Sequence, residues 1–181
     1  MKKVLEPILE PILDRCVAAF VSAGTLDLSL DKLAAAVGVS KRMLIHYFGG
    51  KAAIEELATA RLEDRLRLQF RPEAFPAGTP LADVVAAVWA RTTHPSARGV
   101  LLLVMDLNRR AWAESGRGSS RARQFYLEQQ RLWVDLLAHF SRDRELVEAV
   151  LQLFQGAVLV FLATGDPEPG ARVLRRFLAG R

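Results

Sequence analysis

Apolar residues recur at intervals of three and four along almost the whole chain, and glycine or proline interrupts them every one to two dozen residues. The stripe Ile54, Ala58, Leu62, Leu66 and Phe70 shows it most plainly: one residue per helical turn, with Glu55, Glu56, Glu63, Asp64, Arg65 and Arg67 off it. No segment alternates apolar and polar residues for long enough to make a half-buried strand. Such a pattern confines the chain to an all-α fold of helices that each bury at least one face. Composition agrees, with 28 Leu and 26 Ala but only 4 Ile among 181 residues. Leu and Ala favour helix, whereas β-branched residues favour sheet. A chain of this length forms one domain or two small ones and buries a core without staples. The single cysteine, Cys16, excludes an internal disulfide framework and a cysteine-based zinc site.

The breaks delimit the helices. After the short repeat of Leu5-Glu6-Pro7-Ile8 in Leu9-Glu10-Pro11-Ile12, Pro11 suits the first turn of a helix running to about Ala23. Ile12, Cys16, Val17 and Phe20 form its inner face, and Gly24 ends it. Ser29 is placed to cap a short helix carrying Leu30, Leu33, Ala34 and Val37, which Gly38 closes. Ser40 caps another, from Lys41 to about Tyr47, before Gly49-Gly50. A long helix then runs from Lys51 to about Phe70. Pro72, Pro76, Gly78 and Pro80 mark a joint. Beyond it, helices are expected at about 81–93, 97–114, 119–140, 143–163 and 168–179. The expected division is 1–50, a three-helix helix-turn-helix domain; 51–71, a connecting helix; and 72–181, a helical domain.

Charge narrows the partners. The net charge is +5, which permits a nucleic-acid partner. All five lysines lie at or before Lys51, and the segment 32–53 carries Lys32, Lys41, Arg42 and Lys51 with no acid. Glu6, Pro7, Glu10, Pro11, Asp14 and Arg15 interrupt any apolar leader. The longest uncharged run, Ala149 to Gly165, reads as a buried helix rather than a membrane span, so a cytoplasmic protein without a membrane partner is expected. There is no Gly-rich phosphate loop, no HExxH motif and no metal-ligand spacing; Asp106 and Glu114 share a helix face but nothing completes them. Neither an enzyme, a metal site nor a cofactor is expected. Arg117, Arg121 and Arg123 read as a solvated surface.

The stretch from Leu28 to Phe48 carries the functional signal. Two short helices meet at a tight turn on Gly38, where small Ala34 and Ala35 allow close approach and Val39 and Leu44 fill the space between them. The second helix projects Lys41 and Arg42 from its N-terminus, as a helix must to meet phosphates and base edges in a major groove. Lysine there opposes the helix dipole, for which an outside anion compensates.

Residues 12 to about 60 resemble the DNA-binding domain of the TetR family of transcriptional regulators. The matching pieces are Ala19-Phe20 with Gly24, the run Ser29-Leu30-Asp31-Lys32-Leu33-Ala34 with Val37-Gly38-Val39-Ser40, then Leu44, Tyr47-Phe48 and Lys51. The resemblance implies that Lys41, Arg42, Met43, Ile45 and His46 face the major groove, and that Ser29, Tyr47 and Lys51 grip phosphates. Met43 and Ile45 stand where the family often has Thr and Tyr, which removes two hydroxyls; they can touch thymine methyls instead or turn inward. The rest of the chain matches only in length and helical character. There the resemblance implies a ligand-binding and dimerisation domain, with an inducer pocket drawn from Trp89, Met105, Asn108, Trp112, Phe125 and Gln129. The last two helices are the expected homodimer surface, through Leu151, Phe154, Val158, Phe161, Leu174, Phe177 and Leu178; Val150, Leu153 and Val160 supply an opposite apolar side. The expected protein is a repressor that binds a palindromic operator as a dimer and is released by a small, mainly apolar ligand. The alternative is an all-α binding or scaffold protein whose helix-turn-helix no longer reads DNA.

Overall fold

The computed structural model describes residues 9–114 and 120–180. The first copy of the N-terminal repeat, the break at 115–119 and its Arg117 lie outside them. Among the described residues the chain forms nine α-helices and no strand. They are α1 (Glu10–Ala23), α2 (Leu30–Val37), α3 (Lys41–Phe48), α4 (Lys51–Gln69), α5 (Leu81–Thr93), α6 (Arg98–Ala113), α7 (Arg121–Phe140), α8 (Arg144–Thr164) and α9 (Glu168–Ala179), with single 3-10 turns at Pro72–Ala74 and Pro95–Ala97. The all-α expectation holds.

The helices group into two compact units. One contains α1–α3, α4 as far as Leu66, α6, and α7 as far as Leu127; the other contains the chain from Arg67 to Arg98 and from Glu128 onward. Helix α6 from Gly99 onward thus belongs to the same compact unit as α1–α3.

In the first unit α1 packs on α2, and α2 on α3. Leu13, Cys16, Val17 and Phe20 of α1 are buried with Leu33, Leu44 and Ile54, and the stripe of α4 is buried along its length. Helix α6 crosses α1 at backbone contact. A Cβ on Gly99 would stand 2.3 Å from the carbonyl oxygen of Val21, so only glycine fits there.

In the second unit α9 packs on both α5 and α8. Trp89 of α5 is buried, meets Phe154 and Phe161 edge-on, and donates its indole N–H to the Pro167 carbonyl at 3.1 Å. Leu151, Phe154 and Val158 of α8 and Leu174 of α9 are buried within this unit, and Phe161, Phe177 and Leu178 are partly covered. The residues expected at a subunit interface are therefore largely core. Of the opposite side expected on α8, Val150 is also buried and Leu153 half-buried; the exposed apolar residues of α8 are Leu159 (61% exposed) and Val160 (46%), and α9 adds Val173 (46%). Helix α8 is long and apolar enough to cross a membrane; its Val147, Val150, Leu151, Phe154, Ala157 and Val158 are buried in the unit.

Candidate functional site

Each end of the α2–α3 pair is fixed by local chemistry. Ser29 Oγ accepts from the Lys32 N–H at 3.2 Å and starts α2. Ser40 Oγ accepts from the Met43 N–H at 3.1 Å and starts α3. Between them Gly38 takes φ +76°, the left-handed geometry that turns the chain so sharply. Leu44 and Phe48 anchor α3 in the core, one turn apart. That setting leaves Lys41, Arg42, Met43, Ile45 and His46 exposed, with Tyr47 half-buried beside them. Met43 (40% exposed) and Ile45 (43%) turn outward rather than into the core. The exposed side of α3 is thus cationic at its start and apolar in the middle, and the His46 and Tyr47 rings lie 5.5 Å apart between centroids, tilted by 56°.

The cations around this face are partly engaged. Lys41 Nζ lies 3.0 Å from Asp31 Oδ2, both exposed. Lys51, the first residue of α4, lies 3.2 Å from Glu55 Oε1. Arg42 carries no ion pair among the described residues.

Behind the face stands a polar cluster that sequence reasoning missed. Asp106 of α6 accepts from Thr25 Oγ1 at 2.9 Å and from the Leu26 N–H at 3.2 Å, tying α6 to the chain leaving α1. Arg109 and Arg110 donate to the same carboxylate at 2.8 Å and 3.1 Å. Arg110 also donates to Asp27 Oδ1 at 2.7 Å, and its Nη1 lies 3.8 Å from Glu55 Oε2. Burial pushes the Asp106 carboxyl up, but the Arg109, Leu26 and Thr25 hydrogen bonds and the Arg110 charge outweigh it and hold it below the usual carboxylate range. The partners Thr25 and Leu26 lie about eighty positions earlier, so this link is invisible in the sequence.

The residues expected to line a ligand pocket are distributed over both units. Trp89 and Gln129 belong to the second unit, and Met105, Asn108, Trp112 and Phe125 to the first. Trp112 is 79% exposed and Phe125 fully buried. Asn108 Oδ1 is buried without a hydrogen-bond partner, as is Glu63 Oε1. A small cavity within the second unit is lined by Val85, Val88, Trp133, Leu137, Val150, Leu151 and Phe154. No group of three metal-ligating side chains occurs among the described residues.

An outward helix capped by serine, preceded by a helix of the same length and a glycine turn, defines the N-terminal region as a helix-turn-helix. Residues 12–56 match the family model described as bacterial regulatory proteins, tetR family. No curated protein matches the chain. A Rhodococcus sp. protein assigned to the TetR-family transcriptional regulators aligns over 94% of this chain and 96% of its own, with TM-score 0.70 and 19% identity. A TetR-family transcriptional regulator from Streptomyces coelicolor aligns over 93% and 78%, with TM-score 0.69 and 18% identity. A protein of Pseudomonas aeruginosa PAO1 assigned as a transcriptional regulator aligns over 98% and 92%, with TM-score 0.64 and 20% identity. Residues 12–56 are a TetR-family helix-turn-helix domain, and the chain as a whole has the fold of TetR-family transcriptional regulators.

Proposed function

We propose that the protein is a cytoplasmic, non-catalytic transcriptional regulator that reads a palindromic operator as a homodimer, with α3 in the major groove. The observation that carries this is the outward face of α3. Lys41, Arg42, Met43, Ile45 and His46 are exposed on a helix anchored by Leu44 and Phe48, and Ser29, Tyr47 and Lys51 flank it. Cations serve phosphates and guanine edges; Met43 and Ile45 suit thymine methyls. The exposed Leu159, Val160 and Val173 support a second copy seated on α8 and α9, because an apolar side left open on two packed helices asks for cover. A dimer sets two copies of α3 one helical turn of DNA apart, roughly 34–36 Å.

Release is by a small apolar ligand in the helical C-terminal region, and repression is lifted when the ligand favours a spacing of the two α3 helices that no longer fits successive grooves.

The test is Lys51→Ala. As a phosphate contact, its loss weakens binding to the operator and to mixed-sequence duplex alike and lowers the salt slope by about one unit. A loss confined to one base pair of the site contradicts the phosphate role. A protein that binds no duplex at low salt is the scaffold of the alternative account.

A further inference from the structure

We propose that Arg110 and Glu55 are positioning residues for Lys51, and that together they set how readily Lys51 leaves its protein partner for a DNA phosphate. The inference rests on the DNA-reading function above and adds two residues to it, neither of which faces the groove.

The geometry is a chain of alternating charges within one unit. Lys51 opens α4, at the positive end of the helix dipole, where a cation is disfavoured. Glu55, one turn along, offsets it through Oε1 at 3.2 Å. The other oxygen of Glu55 faces Arg110 Nη1 at 3.8 Å. Arg110 is itself held from behind: Nη2 donates to Asp27 at 2.7 Å and Nε to Asp106 at 3.1 Å. Asp106 in turn is fixed by Thr25 and the Leu26 N–H. Arg110 is therefore set by its neighbours and presents its remaining nitrogen to Glu55. Arg110 and Glu55 are both about four-fifths buried.

Glu55 thus has two cationic partners, Lys51, which is partly exposed, and Arg110, which is set in place. When Lys51 turns to a phosphate, Glu55 loses one partner. With Arg110 opposite, the largely buried carboxylate remains paired. Without Arg110, it would be left as an uncompensated buried charge, the costly half of a broken ion pair. Lys51 would then be retained by Glu55 and lost to DNA. Arg110 lowers the cost of handing Lys51 over, though it touches no DNA itself.

The experiment is a mutant cycle on the full chain, read as affinity for a short mixed-sequence duplex across a salt series, since a phosphate contact is independent of sequence. Arg110→Gln should weaken binding about fivefold. Glu55→Gln should bind at least as tightly as wild type, because Lys51 is freed. The decisive variant carries both. With Glu55 neutral, the Arg110 substitution should cost nothing, and the double variant should match Glu55→Gln within about twofold. In a Lys51→Ala background, Arg110→Gln should likewise have no further effect. If Arg110 merely braces α6 against Asp27 and Asp106, Arg110→Gln weakens binding equally in all three backgrounds, and Glu55→Gln gives no rescue; that result overturns the proposal. Should Arg110→Gln fail to fold, Arg110→Lys takes its place: it keeps the cation but cannot face three carboxylates at once, so the same rescue is expected. If Lys51→Ala itself leaves affinity and salt slope unchanged, the DNA role of Lys51 fails and takes this inference with it. If Lys51→Ala weakens binding but the cycle is additive, only the positioning role fails.

Discussion

Asp106 accepts five hydrogen bonds from two directions, from Arg109 (two) and Arg110 on its own helix and from Thr25 and Leu26 across the packing seam. Its carboxyl is held below the usual range by those donors against the opposing push of burial. A carboxylate with a lowered folded value contributes stability above its unfolded value, about 3.9, and loses it as pH falls through the folded one. Asp106→Asn should therefore cost about 1–3 kcal/mol at neutral pH by urea unfolding, and the gap to wild type should close below about pH 4. A gap that is constant with pH would mean that charge at Asp106 is irrelevant. Cys16 is the opposite case. Burial pushes its thiol up to about 11 while Arg15 pulls weakly down, and only thiolate is nucleophilic. A disulfide-exchange reagent at pH 8 should label Cys16 only once denaturant is added; rapid labelling of the native protein would show that α1 opens readily.

Helix α9 is seated by shape. A Cβ on Gly170 would come 2.4 Å from the Trp89 ring, and the Trp89 indole is already committed to Pro167. Gly170→Ala should destabilise the protein by about 1–3 kcal/mol through overpacking, with a shift in tryptophan emission as Trp89 loses its place. Unchanged melting and emission would mean that α9 slides without cost. Elements of this kind were legible in sequence only up to a point. The helix spans could be read because their ends are chemical: Ser29 and Ser40 supply cap oxygens, Gly38 and Gly49 take left-handed turns, and prolines stop what glycine does not. The rotation of α8 could not. Leu151, Phe154 and Val158 on one side and Leu159 and Val160 on the other are equally apolar, and only packing against α9 and α5 decides which side is core. The use of Trp89 was hidden for a similar reason, since its partners Pro167 and Gly170 lie some eighty positions away. At the candidate site the projecting Lys41 and Arg42 were legible from the helix–glycine–helix pattern and the rest of the α3 face only from the resemblance, whereas the cluster around Arg110 needs contacts from the loop after α1, from α4 and from α6 at once.

For the whole molecule, the exposed apolar side of α8 and α9 and the outward face of α3 make one linked expectation. Leu159→Glu with Val173→Glu places two charges on the proposed subunit interface while leaving the core residues Phe154 and Leu174 untouched. Light scattering should then give monomers that unfold at nearly the wild-type temperature, with weak binding to DNA because each carries a single half-site. A double variant that remains dimeric assigns the interface elsewhere. The central claim, that a pair of α3 helices reads a two-fold site, is met most directly by footprinting the protein on the DNA flanking its own gene. Two protected half-sites should appear, related by inverted symmetry and centred about 10 base pairs or a multiple of that apart, with protection of the same bases lost in Arg42→Ala. Protection no stronger than on unrelated duplex, or a single unpaired half-site, would contradict it.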